Sequence, residues 1–178
     1  MKANVVLLGT AMALISCGGC AVGSHHTSDA ELERKFVSHR MEFEKLSTEL
    51  AADEGFEMIR SDSLRYRGRV LRGRIGERDV GDIGLTTGRL ETYRRILGSL
   101  GVLQITKTGG AIEYRVDQGS VWNGDSNKGL EYCPRQPRGV SSQNLDSYRI
   151  GPDSRPERGG RFVYKPLGGN WYLYLFVN

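Results

Sequence analysis

The sequence predicts an α+β fold, an antiparallel sheet of hairpins with two helices, and three observations carry that expectation. Residues 32–50 and 90–100 place apolar side chains at helical spacing. The second half of the chain alternates apolar and polar residues in short runs separated by Gly, Asn and Pro, the pattern of strands and tight turns. Twenty-four glycines and few long apolar runs favour short strands over a helical bundle. Roughly four to seven strands are expected.

The chain opens with Lys2, an apolar stretch from Val5 to Ile15, and then Leu14-Ile15-Ser16-Cys17. A stretch this short does not span a bilayer as a helix, which needs about 20 residues, but it suits the apolar centre of a secretory signal. The arrangement resembles the lipobox of bacterial lipoproteins. The resemblance implies cleavage before Cys17, a diacylglycerol thioether on Cys17, palmitate-type acylation of the new amino terminus and a membrane anchor. Gly18 in place of Asp implies outer-membrane sorting, with the domain facing the periplasm. An ordinary signal peptide with an incidental cysteine is the alternative. Cys20 fits poorly as the modified residue, because Cys17 and not an aliphatic residue stands three before it.

On this reading residues 1–16 are the signal peptide, 17–27 the lipidated cysteine and a flexible tether, and 28–178 a single globular domain. Losing Lys2 takes the formal net charge from +4 to +3. Gly18–Thr27 has no periodicity, and ten residues extend to at most about 33–36 Å. Cys20 and Cys133 would meet an oxidising compartment, where a disulfide between them is allowed and a free Cys133 thiol is the alternative.

Ser28 and Glu31 have the spacing of a capping box. Leu32, Phe36, Phe43, Leu46 and Leu50 follow at heptad spacing, with His39 in the vacant slot and Gly55 as the stop. This first helix, next to the tether, is expected to pack on its own domain; a coiled coil is the alternative. Arg65, Arg67 and Arg69 alternate with Leu64, Tyr66 and Gly68, which reads as one strand with a basic face. Leu90, Tyr93, Leu97 and Leu100 mark the second helix, stopped at Gly101. Hairpins are expected around Lys107–Gly110, Asn123-Gly124 and Pro166–Gly169, with a long connection over 134–160. The run 91–101 and the closing Asn170–Leu173 loosely resemble small uncharacterised bacterial proteins, a resemblance that lends no functional residues.

Few catalytic constellations survive inspection. The three histidines, His25, His26 and His39, all precede residue 40, so a nucleophilic Ser or Cys has no evident base and zinc lacks its usual ligands. His25 and His26 read as part of a solvated spacer. A calcium loop starting at Asp125 fails, with Leu130 and Gln136 where Gly and Glu are required. Glu113, Asp117 and Glu131 offer carboxylates for glycoside chemistry, though their spacing does not demand it. Gly81, Gly84 and Gly88 match no nucleotide-binding pattern.

Charge is split along the chain. Residues 17–59 hold four basic and nine acidic residues; residues 60–178 hold twenty basic and twelve acidic. Arginine forks suit phosphate and carboxylate, so Arg65, Arg67 and Arg69 are the candidate anion-binding group, opposed by a solvated strand face. The expected function is a lipid-anchored, non-catalytic envelope protein. Its expected partners are the membrane, through the anchor, and an envelope protein, anionic lipid or polysaccharide; no nucleic acid, cofactor or metal is expected. A carboxylate-dependent wall or glycan hydrolase and an immunity or inhibitor lipoprotein are the alternatives. Clustering of Glu113, Asp117 and Glu131 in one cleft favours the hydrolase, and dispersal favours the binding module.

Overall fold

The computed structural model describes residues 26–73, 75–121, 124–148 and 160–178. Cys17, Cys20 and the signal-like segment lie outside the described residues, as does His25. The fold is mixed α+β, a large open sheet with helices against one face. The helices are α1 (Asp29–Ser38), α2 (Arg40–Ala52), α3 (Glu77–Gly81) and α4 (Thr87–Leu100). The strands are β1 (Phe56–Arg60), β2 (Ser63–Tyr66), β3 (Arg69–Arg72), β4 (Gln104–Thr108), β5 (Ala111–Val121), β6 (Gly124–Tyr132), β7 (Val140–Ser141), β8 (Arg161–Gly168) and β9 (Trp171–Val177). They lie in the order β3-β2-β1-β4-β5-β6-β9-β8-β7. All neighbours are antiparallel except β7 with β8.

Among the described residues, nine strands and four helices exceed the expectation, for local reasons. The stretch 56–75 does not run as one strand. Arg67 and Gly68 take φ of 48° and 72°, a left-handed pair that reverses the chain between β2 and β3. The long connection after residue 133 contributes β7. A short turn of helix, α3, precedes α4.

The first helical stripe is interrupted. His39 ends α1 and begins α2 with φ −121°, so it does not occupy a packed stripe position. A straight helix rotates a seven-residue stripe by about 20° per heptad, and the break restarts the phase. Phe36 and Phe43 then both reach Trp171, at ring centroid distances of 5.0 and 5.8 Å. Leu32, Phe36, Phe43, Leu46 and Leu50 are all buried. They lie against the sheet face formed by Ile112, Tyr114, Leu130, Leu173 and Trp171, and Ser47 bonds the Tyr114 hydroxyl at 2.7 Å.

The second helix-to-sheet contact centres on Asp53. Its carboxylate accepts from the Tyr66 and Tyr93 hydroxyls at 3.0 and 2.9 Å and from the Gly55 N–H at 3.1 Å, with Arg89 at 3.3 Å. Burial, then the Asp53 bond, pushes the Tyr93 hydroxyl far above its usual range. Gly55 is required here, since a Cβ would stand 2.5 Å from the Tyr66 ring. Thr86 caps α4 through the Arg89 N–H, and Gly101 at φ 55° ends it.

Two opposite ends of the sheet follow from the register. Arg60, Gln104, Ser126, Arg161 and Val177 lie toward one end. The turns at Arg67-Gly68, Gly109-Gly110 and Gly169-Asn170 lie toward the other.

Candidate functional site

The two faces of the sheet carry different chemistry, and a bulge in β5 decides which residue goes where. Glu113 and Asp117 are four apart and would share one face of a regular strand. The register shifts between Arg115 and Asp117, and the extra residue turns Asp117 to the helix-bearing face. Glu113 stays on the other face, directly opposite Glu131 on β6. The three carboxylates singled out in the sequence are therefore split: Glu113 and Glu131 are brought together, and Asp117 is not.

On the helix-bearing face, Asp117 meets the segment leading into α1. Its carboxylate accepts from the Thr27 backbone N–H and hydroxyl and lies 3.4 Å from His26 Nδ1. His26 Nε2 contacts Ser126 Oγ at 2.6 Å. The histidine side chain is 7% exposed, so His26 is no solvated spacer. Burial depresses its pKa, with Asp117 opposing. Burial alone would raise the Asp117 carboxyl, but the Thr27 N–H and His26 hold it below the usual range. Ser126, His26 and Asp117 stand in the order of nucleophile, base and orienting carboxylate. Ser126 is 0% exposed, and the set joins the Thr27 segment to β5 and β6 as a clamp. Gly119 makes room for it, since a Cβ there would stand 2.9 Å from the His26 ring.

Beside the clamp an ion cluster locks α1 to the sheet. Lys128, 1% exposed, contacts Asp29 at 2.7 Å and also pairs with Asp146. Asp146 accepts the Asp29 N–H, while Asp29 accepts the Leu145 N–H at 2.8 Å, a reciprocal cap. Lys165 adds Glu33 at 2.6 Å. Burial opposes ionisation of Asp146, but Lys128 and the Asp29 N–H hold its carboxyl below the usual range. A cavity of about 310 Å³ adjoins this cluster, lined in part by His26, Lys128, Asp146 and Tyr148.

The opposite face holds the carboxylate pair and an aromatic ladder. Residues directly opposite across an antiparallel pair have Cβ atoms about 4.5–5.5 Å apart, and like charges there repel. Glu131 is 3% exposed. Burial and then Glu113 push its carboxyl up to about 7, with Tyr164 and Cys133 bonding it. Burial raises Glu113 too, moderated by Arg115. Cys133 is a free thiol, raised chiefly by burial. Phe162 stacks on Tyr164 at 5.7 Å and 5° and meets Phe176 at 4.7 Å; Tyr164 meets Tyr172 at 6.1 Å. A cavity of about 120 Å³ opens between Glu113, Arg115, Asn127, Phe162, Tyr174 and Phe176.

The three arginines singled out in the sequence do not share a strand face. Arg65 lies on β2 opposite Val70, Arg69 lies on β3 opposite Tyr66, and Arg67 occupies the turn. Arg65 and Arg69 thus fall on opposite faces of the hairpin, because Arg65 and Tyr66 are adjacent. Arg67 lies over the Tyr66 ring, with its guanidinium carbon 5.6 Å from the centroid. All three are exposed. Among the described residues none of these three arginines forms an ion pair. The candidate calcium loop from Asp125 is strand β6. Gly84 sits in a turn at φ 75° beneath Arg67. Among the described residues no group of His, Cys, Asp and Glu is placed to hold a metal ion, and no helix is long and apolar enough to cross a membrane.

The sequence reading missed the His26 clamp and the face-to-face glutamates. Nothing in the sequence spacing joins His26 to Asp117 and Ser126, and the second depended on the bulge. No protein-family model matches this chain, and neither does any curated protein or solved structure.

Proposed function

We propose that this chain is a lipid-anchored, non-catalytic protein of the bacterial cell envelope that holds a binding domain close to its membrane. The observation that carries the reading is the clamp at His26 and Thr27. It fixes where the domain leaves the lipobox-like segment. Nine Cα–Cα steps separate Cys17 from His26, at most about 30–32 Å of chain. The His26 end of the sheet is then the end tied to the bilayer, and the Arg67-Gly68 end points away.

That orientation assigns the basic hairpin a partner other than the anchoring bilayer. Arg65, Arg67 and Arg69 are exposed and unpaired near the remote end, where they suit an acidic protein surface or an anionic polysaccharide. The outer membrane is the address favoured by Gly18.

The competing hydrolase reading has one favourable observation, the Glu113–Glu131 pair with Glu131 near pH 7. Burial argues against it. A general acid must reach the scissile bond, and Glu131 is 3% exposed. Fatty-acid labelling in a bacterial host tests the anchored reading. Wild type takes up label and fractionates with membranes; Cys17→Ala does neither. Label that survives in Cys17→Ala, or is lost only in Cys20→Ala, refutes the assignment.

A further inference from the structure

We propose that the β8–β9 half of the sheet face opposite α1 and α2 binds a neutral saccharide, with a sugar ring against Phe162 and Phe176 and a hydroxyl between Arg115 and Asn127. The inference rests on the envelope-binding reading and names the ligand class for that domain.

Hydrogen-bond bookkeeping selects the chemistry. Arg115 Nε and Asn127 Oδ1 are shielded from solvent and have no partner. Both residues line the cavity of about 120 Å³. Buried polar groups are rarely left unsatisfied, so the cavity is built for something that accepts from the first and donates to the second. A hydroxyl does both through one oxygen. A carboxylate or phosphate would satisfy Arg115, leave Asn127 Oδ1 facing another acceptor, and lie near Glu113. An ammonium would meet Arg115 with like charge. Glu131 Oε2, on the same face, is a further buried acceptor without a partner.

Size and surroundings fit a sugar and not a flat heterocycle. The cavity is small, about 120 Å³, and takes a hydroxymethyl arm. The ring would lie outside, over the half-buried Phe162 and Phe176, whose centroids are 4.7 Å apart. The C–H faces of a saccharide are its apolar surface, and aromatic side chains supply rigid apolar area beside polar groups.

The test is calorimetric titration of the full chain, in a detergent without sugar, with an N-acetylglucosamine tetramer and with maltotetraose. Saturable binding of at least one is expected. Asn127→Ala and Phe162→Leu should each weaken it about tenfold, which is about 1.4 kcal/mol, while thermal midpoints stay near wild type. Phe162→Tyr should keep it. If Asn127→Ala fails to fold, Phe162→Leu against Phe162→Tyr decides alone. Absence of saturable binding by either sugar overturns the inference. So does binding by folded Asn127→Ala, or by Phe162→Leu, equal to wild type. Failure here with Cys17 acylated in cells leaves the anchored reading standing; saccharide binding by a chain that is never acylated leaves this inference standing and removes the anchor.

Discussion

Glu131→Gln should stabilise the protein at neutral and alkaline pH and leave it unchanged at about pH 4. Burial and the facing Glu113 hold the Glu131 carboxyl at about 7 against an ordinary value of 4.5. Between those values the folded state keeps a proton that the unfolded state has lost. Stability from this group is therefore fully present below pH 4.5 and is lost as pH rises through 7. Each pKa unit corresponds to 1.36 kcal/mol, so the loss is about 3 kcal/mol, an order-of-magnitude figure. Glutamine keeps an acceptor for Tyr164 and cannot ionise. Urea unfolding of both proteins at pH 4, 5, 6, 7 and 8 gives the difference curve, in which groups common to both cancel. The two should coincide near pH 4, and the variant should lead by about 3 kcal/mol at pH 8. A difference that is flat across that range, or that favours wild type at pH 8, refutes the account of the pair.

Three further substitutions probe the elements that build the site. Phe43→Ala removes a wholly buried ring packed on Tyr114 and Trp171 and should cost about 3–5 kcal/mol in denaturant unfolding; a midpoint that instead depends on protein concentration would indicate an intermolecular stripe. Lys128→Ala removes a buried cation from beside Asp29 and Asp146 and should destabilise by about 3–5 kcal/mol, the range for breaking a buried pair, whereas Lys165→Ala, half-buried at the rim, should cost less. His26→Ala should free the entry to α1, read as faster proteolysis before Ser28 with an unchanged core; cleavage at the wild-type rate would show that Thr27 and Asp117 suffice.

The fold was legible where side-chain period and packing agree. The stripe from Leu32 to Leu50 and the face from Leu90 to Leu100 read directly as helices, because burial on one side leaves a 3.6-residue signature. Three features escaped, each a backbone event without a strong local pattern. The break at His39 leaves the stripe spacing intact, so periodicity does not reveal it. The turn at Arg67 uses an arginine in a left-handed conformation, and only Gly68 hinted that alternation would stop there; the basic face dissolved with it. The β5 bulge moved Asp117 across the sheet and aligned Glu113 with Glu131, a choice that propensity does not encode. Histidine counting also misled: His26 lies 100 residues from Ser126 in sequence, and no spacing rule joins them.

The central claim is that this domain hangs on a lipid at Cys17, and the intact mass of the membrane-extracted protein tests it most directly. The account predicts a chain beginning at Cys17 and heavier than its peptide mass by a diacylglycerol and an acyl group, with Cys17→Ala retaining residues 1–16. An unmodified mass, a chain beginning anywhere other than Cys17, or lipid mapped to Cys20 would contradict it.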